Sequence, residues 1–452
     1  MAQPAVQFRK ALRMRDLILF GIICVQPTAP IPPFGIIQKL SQGQAATVIA
    51  FAMLAMLPTA FSYGNMAARF PAAGSAFTYV ARGLHPQLGF VAGWATLLDY
   101  FLIPIASVIY CAVTMSRVVP AIPYPWWAAL FAALATFLNL RGIRTGVRTN
   151  QLLVGAMTLV IVGVIVLAVR YVTGEHGLTG LVSTAPFYDP AAFDLHTLAT
   201  ATSLAALTYI GFDAVTTLAE EVENPTRSLP RATVWVCLIT GLGSILIVYL
   251  GQLVWPAYRE FHDFDTAFLD VAQRIGGREL FGAMVIVLVL ANFGSALAGQ
   301  AGAARVLYGM GRSGVFPERL LAHLNPKTLQ PNLNVWFVGL IAFAGAVLLG
   351  YEAAAELLNF GAFLAFMGVN LAALRQSLKD YRAGARRQMI PALIALIGFL
   401  SCLEIWLSLP APARRVGWVW MGVGVLYQLI QTRGFRTTPD LAPGGSPPSP
   451  GD

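Results

Sequence analysis

Two carboxylates stand in apolar surroundings: Asp99, within GFVAGWATLLDYFLIP at 89–104, and Asp213, within LTYIGFDAV at 207–215. At membrane depth a carboxylate costs about 3 kcal/mol or more unless paired or hydrated, so both are functional candidates by type. Two chemistries suit such groups. One is to accept a substrate ammonium; the other is to take up and release a proton. For Asp213 the competing role is a cap on the backbone N–H groups that follow it. For Asp99 it is a structural bond to a hydroxyl such as Tyr100 or Ser107. Asn292, in a later apolar run, either faces the same cavity or ties helices together.

The backbone offers chemistry of its own. VQPTAPIPPFG at 25–35 packs Pro27, Pro30, Pro32 and Pro33 into the first long apolar stretch. Each proline lacks an N–H and frees a carbonyl one turn upstream, and each costs a helix interior about 3 kcal/mol, so four of them end the helix. Unwound backbone in a membrane is tolerated only where protein or a water-filled cavity satisfies it, which marks this stretch as the lining of a polar site. Gly211, two residues before Asp213, is a second flexible point. Enzymatic chemistry has no comparable support. His85, His176, His196, His262 and His323 fall in loops or at span ends without HExxH spacing, and neither a Walker loop nor a GxSxG elbow is present. Cys24, Cys111, Cys237 and Cys402 lie in apolar stretches as small core residues. No metal and no cofactor are expected.

The elements that must position these groups follow from composition. Of 452 residues, 57% are hydrophobic and 11% charged, against roughly 25% charged in soluble domains. Mean hydropathy is +0.67, and the apolar runs of about 20 residues match the roughly 30 Å of a bilayer core. The chain reads as an all-α polytopic membrane protein with twelve spans, at 16–39, 45–66, 86–117, 125–140, 150–171, 197–221, 232–255, 280–308, 333–350, 356–374, 390–409 and 415–431. With the N-terminus inside, most of the 30 Lys and Arg fall on the cytoplasmic side, so both termini are expected there. The net charge of +9 then belongs to juxtamembrane loops such as 141–148 and 375–387, which face anionic membrane lipid, and needs no nucleic acid. The expected organisation is an N-tail at 1–15, a transporter core at 16–374, helices 11 and 12 at 390–431, and a Pro, Gly and Ser-rich disordered tail at 432–452. The outer connections at 170–196 and 255–279 are expected to carry short interfacial helices.

Interruptions in spans 1 and 6, five helices apart, suggest an inverted repeat of 16–171 and 197–374. Here the residues resemble a known family. GFDAVTTLAEEVENPTRSLPRA at 211–232, RVLYGMGRSGVFPERL at 305–320 and RFPAAGSAFTYV at 69–80 resemble the amino acid/polyamine/organocation transporter superfamily. The stretches 89–104 and 357–371 are most similar to its bacterial putrescine-importer-like permeases. The resemblance covers about residues 10 to 432. It implies a LeuT-type 5+5 inverted repeat plus two C-terminal helices, with helices 1 and 6 broken around a central site that alternates access. Carried over by position, the substrate-facing residues are Gln26, Thr28, Ala29 and Ile31 in helix 1 and Leu207, Thr208, Tyr209 and Ile210 in helix 6. Some relatives place a tryptophan gate where Leu207 stands, so an aromatic lid is expected from Tyr209, Tyr100 or Phe360.

Three departures refine the expectation. Many amino-acid permeases of the superfamily hold a substrate carboxylate on a glycine-rich helix-1 break, whereas prolines have no N–H to give. Putrescine-importer-like relatives tend to carry an acid at the position aligned with Pro32, and its absence counts against putrescine itself. The helix-5 lysine of some proton-coupled relatives is replaced by Met157. The cluster of Glu220, Glu221 and Glu223 with Arg227 and Arg231 is either a solvated loop or an ion-paired inner gate, with Arg69 or Arg144 as partner. GSALAGQAGAA at 294–304 reads as a packing surface; its single hydroxyl, Ser295, makes a sodium site the weaker alternative. The resulting expectation is a permease of the cytoplasmic membrane that imports an amino acid or small organic amine, driven by protons through Asp213 rather than by sodium. An exchanger, or a transport-incompetent sensor of the same fold, is the alternative.

Overall fold

A computed structural model describes residues 12–71, 76–142, 147–312, 321–325, 330–432 and 434, and among these the named elements are all helices. The expectations for residues 1–11, for Arg144 and for the tail beyond 434 lie outside the described residues, as does the 313–320 stretch. Span 1 is split as its prolines require: α1 (Met14–Val25) and α2 (Phe34–Leu40) flank a run of tight turns. Span 2 is α3 (Ala45–Arg69), and span 3 is α5 (Pro86–Val118). Between them lies α4 (Ala76–Gly83), a short helix that the sequence reading did not anticipate. Spans 4 and 5 are α6 (Tyr124–Leu140) and α7 (Val147–His176).

Span 6 begins as α8 (Leu195–Ala205), tightens into 3-10 turns at Ala206–Tyr209, breaks, and resumes as a 3-10 helix over Phe212–Glu221. Spans 7 to 12 are α9 (Pro225–Val254), α10 (Ala267–Arg312), α11 (Asn332–Leu348), α12 (Tyr351–Arg382), α13 (Met389–Leu407) and α14 (Ala411–Gln431). The eighth is longer than expected because a kink at Gly277, with φ +61, joins a connecting helix to the span proper. The connections carry short 3-10 turns at Leu178–Leu181, Tyr258–Glu260 and Phe264–Thr266.

Eight helical stretches among the described residues are long and apolar enough to cross a membrane, and α6 and α11 are shorter apolar helices. The outward faces carry exposed Leu152, Leu159, Leu340 and Val419. Leucine and valine exposed in such density fit a hydrocarbon surround rather than water.

The repeat is visible in who packs against whom. Helices of equal rank in the two halves meet: α1 lies on the Phe212–Glu221 segment, α3 on α9, α5 on α10 and α6 on α11. The short helices are matched too, since α4 precedes span 3 and the pre-kink part of α10 precedes span 8. Small residues permit the close approaches. A Cβ on Gly64 of α3 would strike Pro230 of α9, where Thr233 Oγ1 also donates to Ala60 O at 2.7 Å. On α10, Gly299 lies against Ile103 and Pro104 of α5, and Gly302 lies on the Tyr100 ring, so the 294–304 run serves packing. Gln300 then bonds to Asn139 and Thr136 of α6 and to Val335 O of α11.

The last two helices brace the core from outside. Asn370 of α12 donates to Thr59 Oγ1 of α3 and lies against Cys402 of α13. Trp94 of α5 and Trp420 of α14 stack at 5.0 Å, and each indole N–H donates to the other residue's carbonyl.

Candidate functional site

The two breaks touch. After α1 the chain turns at Gln26, whose φ of +69 is rare for a residue with a side chain. Three i+3 bonds, from Ala29 N–H to Gln26 O, Ile31 N–H to Thr28 O and Phe34 N–H to Ile31 O, carry it to α2. Two of the carbonyls that the prolines release, those of Gln26 and Thr28, are thus taken up by local turns. The second break is set by Gly211 at φ +116, a conformation that needs glycine. A Cβ there would sit 3.0 Å from the Cys24 carbonyl oxygen and 3.2 Å from Val25 N, so the missing side chain is what lets helix 6 reach the end of α1.

Partial exposure marks the space around this contact. Gln26, Pro27 and Ala29 of the first break, Leu207, Ile210 and Gly211 of the second, and Asp99, Tyr100, Asp213 and Ser295 beside them are all half-buried. Two clefts of about 280 and 310 Å3 lie elsewhere, the first between α3 and α12 near Arg69 and Gln388, the second between α3, α8 and α13.

The two carboxylates have different surroundings. Asp99 of α5 is pressed against Gly361 of α12, where a Cβ would meet its Oδ1. That oxygen is buried and has no hydrogen-bond partner among the described residues. Neither Tyr100 nor Ser107 bonds to it. An unmet carboxylate oxygen in the interior is costly, and an ammonium group would satisfy it. Asp99 lies within electrostatic reach of Asp213, which stands in the first turn of the Phe212–Glu221 helix. A carboxylate in that turn is favoured by the positive end of the helix.

Several expected residues point elsewhere. Tyr209 is buried, donates its hydroxyl to Ile49 O at 2.8 Å and packs toward Gly241, so it anchors the break to α3 and α9 rather than covering a cavity. Phe360 is fully buried against Trp406 at 5.1 Å and Trp418 at 6.1 Å, and so belongs to the interface with α13 and α14. Of the three expected lids, only Tyr100 is half-buried rather than buried. Thr28 and Ile31 are buried beside the break, and Thr208 turns its hydroxyl back to Ala205 O. Asn292 donates its side-chain amide to Leu288 O on its own helix.

One residue of the site had a sequence signal that was read differently. Ser295 accepts from Gln26 Nε2 at 2.9 Å, joining the first break to α10. As the single hydroxyl in a small-residue run it enters the sequence reading only as an argument against a sodium site.

On the N-terminal face the two broken helices are strapped together. Leu12 N–H donates to Glu221 O, Glu223 N–H donates to Leu12 O, and Arg13 lies 3.7 Å from the Glu223 carboxylate. Arg69 does not join this cluster; it forms a two-pronged pair with Asp380 at 2.5 and 3.0 Å, linking α3 to α12. Among the described residues no group of His, Cys, Asp and Glu is placed to hold a metal ion.

Comparison with known proteins gives a consistent picture. The family profile described as amino acid permease matches residues 17–430. The low-affinity putrescine importer PlaP of Escherichia coli (strain K12) is 31% identical over 433 residues, which is 95% of each chain. The branched-chain amino acid permease BcaP of Bacillus subtilis (strain 168) is 26% identical over 455 residues, 94% of this chain and 93% of that one. Among solved structures, MhsT in complex with L-phenylalanine shares the fold, with a TM-score of 0.59 at 18% identity, covering 89% of this chain and 100% of the other.

Proposed function

The chain belongs to the amino acid permease family, a multi-pass membrane transporter rather than an enzyme, and from that premise we propose that it imports a small organic amine across the cytoplasmic membrane. One observation carries the reading: the buried, unpartnered Oδ1 of Asp99, packed on Gly361 of α12 and within electrostatic reach of Asp213 at the second break. A substrate ammonium placed there gains a charge-assisted hydrogen bond and removes the cost of the bare carboxylate. The similarity to a putrescine importer supports the same substrate class, with Asp99 supplying the charge that Pro32 does not. The amide of Gln26, held by Ser295, offers its oxygen as a second acceptor on the helix-1 side.

Alternating access follows from the geometry of the breaks. Each broken helix has two halves that can tilt about an unwound joint, and the strap between Leu12 and Glu221–Glu223 closes the N-terminal face in this conformation. With both termini cytoplasmic, this is the outward-facing or occluded stage of the cycle. Asp213 is the coupling group: it stands in the first helical turn after the second break, where a negative charge favours the N-terminal N–H groups, so protonation would loosen the joint.

A thermal-shift screen of the purified protein tests the substrate class. A ligand that binds the native state at 100 times its Kd adds about 2.7 kcal/mol of apparent stability. Diamines or monoamines are expected to raise the melting temperature. Stabilisation by zwitterionic amino acids alone, with amines inert, would overturn the amine reading.

A further inference from the structure

The cleft of about 310 Å3 between α3, α8 and α13 is lined by a carboxylate, Glu404. Two other lining residues, Phe51 and Leu195, are exposed on helices that cross the membrane, so the cleft faces lipid. Glu404 itself is exposed and stands three residues before the end of α13. At 1.5 Å per residue that is about 5 Å from the helix end, the depth of lipid headgroups. Among the described residues Glu404 forms no ion pair, and its carboxylate accepts no hydrogen bond. A bare carboxylate at the edge of the hydrocarbon is costly until a cation meets it.

The other polar groups of the cleft select the cation. Ser408 donates its hydroxyl to Glu404 O at 2.9 Å and Thr202 donates its own to Leu198 O at 2.7 Å, so both have only oxygen lone pairs left to offer. The lining is rich in acceptors and, among the described residues, holds no Lys, Arg or His. Such a lining suits an ammonium with several N–H donors. The complementary charge stands next to it. Arg414 of α14 is half-buried and donates one N–H to Leu407 O at 3.2 Å, at the end of the turn that begins with Glu404. Its other N–H groups have no partner among the described residues and are open to a phosphate. The remaining walls are apolar, with Phe51 and Ala55 from α3, Leu198 from α8 and Ile405 from α13. Acceptors for an ammonium, a cation for a phosphate and an apolar slot together match a phospholipid whose headgroup ends in a primary amine.

We infer that this cleft is a binding site for phosphatidylethanolamine, with the ammonium on Glu404, the phosphate toward Arg414 and an acyl chain along Phe51, Leu198 and Ile405. The site is independent of the transported substrate. One of its walls, α8, is the half of span 6 that precedes the break, whereas α13 lies outside the repeats. A seated lipid therefore ties the broken helix to the outer scaffold and favours the conformation described above.

The test is native mass spectrometry of the purified full chain titrated with dioleoyl phosphatidylethanolamine, phosphatidylcholine and phosphatidylglycerol. Phosphatidylethanolamine is expected to bind about tenfold more tightly than the other two, since phosphatidylcholine has no N–H to give and phosphatidylglycerol no ammonium. Glu404→Gln should bring it down to the level of phosphatidylcholine. Ala199→Trp, which fills the cleft from α8 with Glu404 intact, should release it too and decides the matter if the α13 variant folds poorly. Glycerophosphoethanolamine, the same headgroup without chains, should not bind at these concentrations. Equal retention of the three lipids by the native chain, or a preference that survives in folded Glu404→Gln or Ala199→Trp, overturns the site. Binding of the chainless headgroup as tightly as the lipid would overturn the lipid assignment in favour of a soluble amine.

Discussion

Asp99→Asn is expected to weaken amine binding by about ten- to a hundredfold while leaving the protein folded, because a hydrogen bond to a charged group contributes roughly 1.5–3 kcal/mol. Asparagine keeps the shape that fits against Gly361 and removes only the charge. The ligand-free protein should be no less stable, and even somewhat more so, since an interior carboxylate with an unmet oxygen is itself destabilising. The diagnostic pattern is therefore an unchanged or higher melting temperature without amine, together with loss of the amine-induced shift. A normal shift in a well-folded variant would place the ammonium elsewhere. A large drop in stability without ligand would make Asp99 a structural group.

Gly211→Val should be the most damaging substitution that touches no substrate. At φ +116 a side chain costs about 1–2 kcal/mol in backbone strain, more for a β-branched one. The added Cβ would also press on the Cys24 carbonyl, 3.0 Å away, and push the second break off the end of α1. Uptake is expected to fall at least about tenfold, since small displacements of a binding constellation carry that cost. Gly211→Ala, with one methyl in the same place, should fall between. Transport near the native rate in Gly211→Val would show that the contact between the breaks is dispensable.

The breaks were legible because they are written in local chemistry. Four prolines in ten residues cannot be helical, and a Gly and an Asp inside an apolar span announce a flexible joint, whatever the rest of the fold does. The pairing of the halves followed from the spacing of those interruptions. What the sequence could not show is rotation about each helix axis. Phe360 and Tyr209 occupy plausible heights, yet their faces are decided by distant partners, Trp406 and Trp418 for one and Ile49 and Gly241 for the other. The 3-10 winding of Phe212–Glu221 likewise depends on the close fit against α1 and α9, with which it packs. Helix α4 escaped notice because its eight residues are too few for a spanning run. Arg69, one candidate partner for the Glu220–Glu223 cluster, meets Asp380 instead, 311 positions away in the sequence.

The bond between Gln26 and Ser295 shows a middle case. Both residues were noticed, each for a separate reason, but their meeting depends on the packing of α10 against the first break.

Gradient-driven uptake of radiolabelled putrescine into proteoliposomes holding the purified chain tests the central claim most directly. The account predicts accumulation into empty vesicles when a proton gradient is imposed and none without it, with Asp213→Asn binding the amine but failing to accumulate it. Uptake that requires internal amine and ignores the gradient, or accumulation that survives intact in Asp213→Asn, would contradict it.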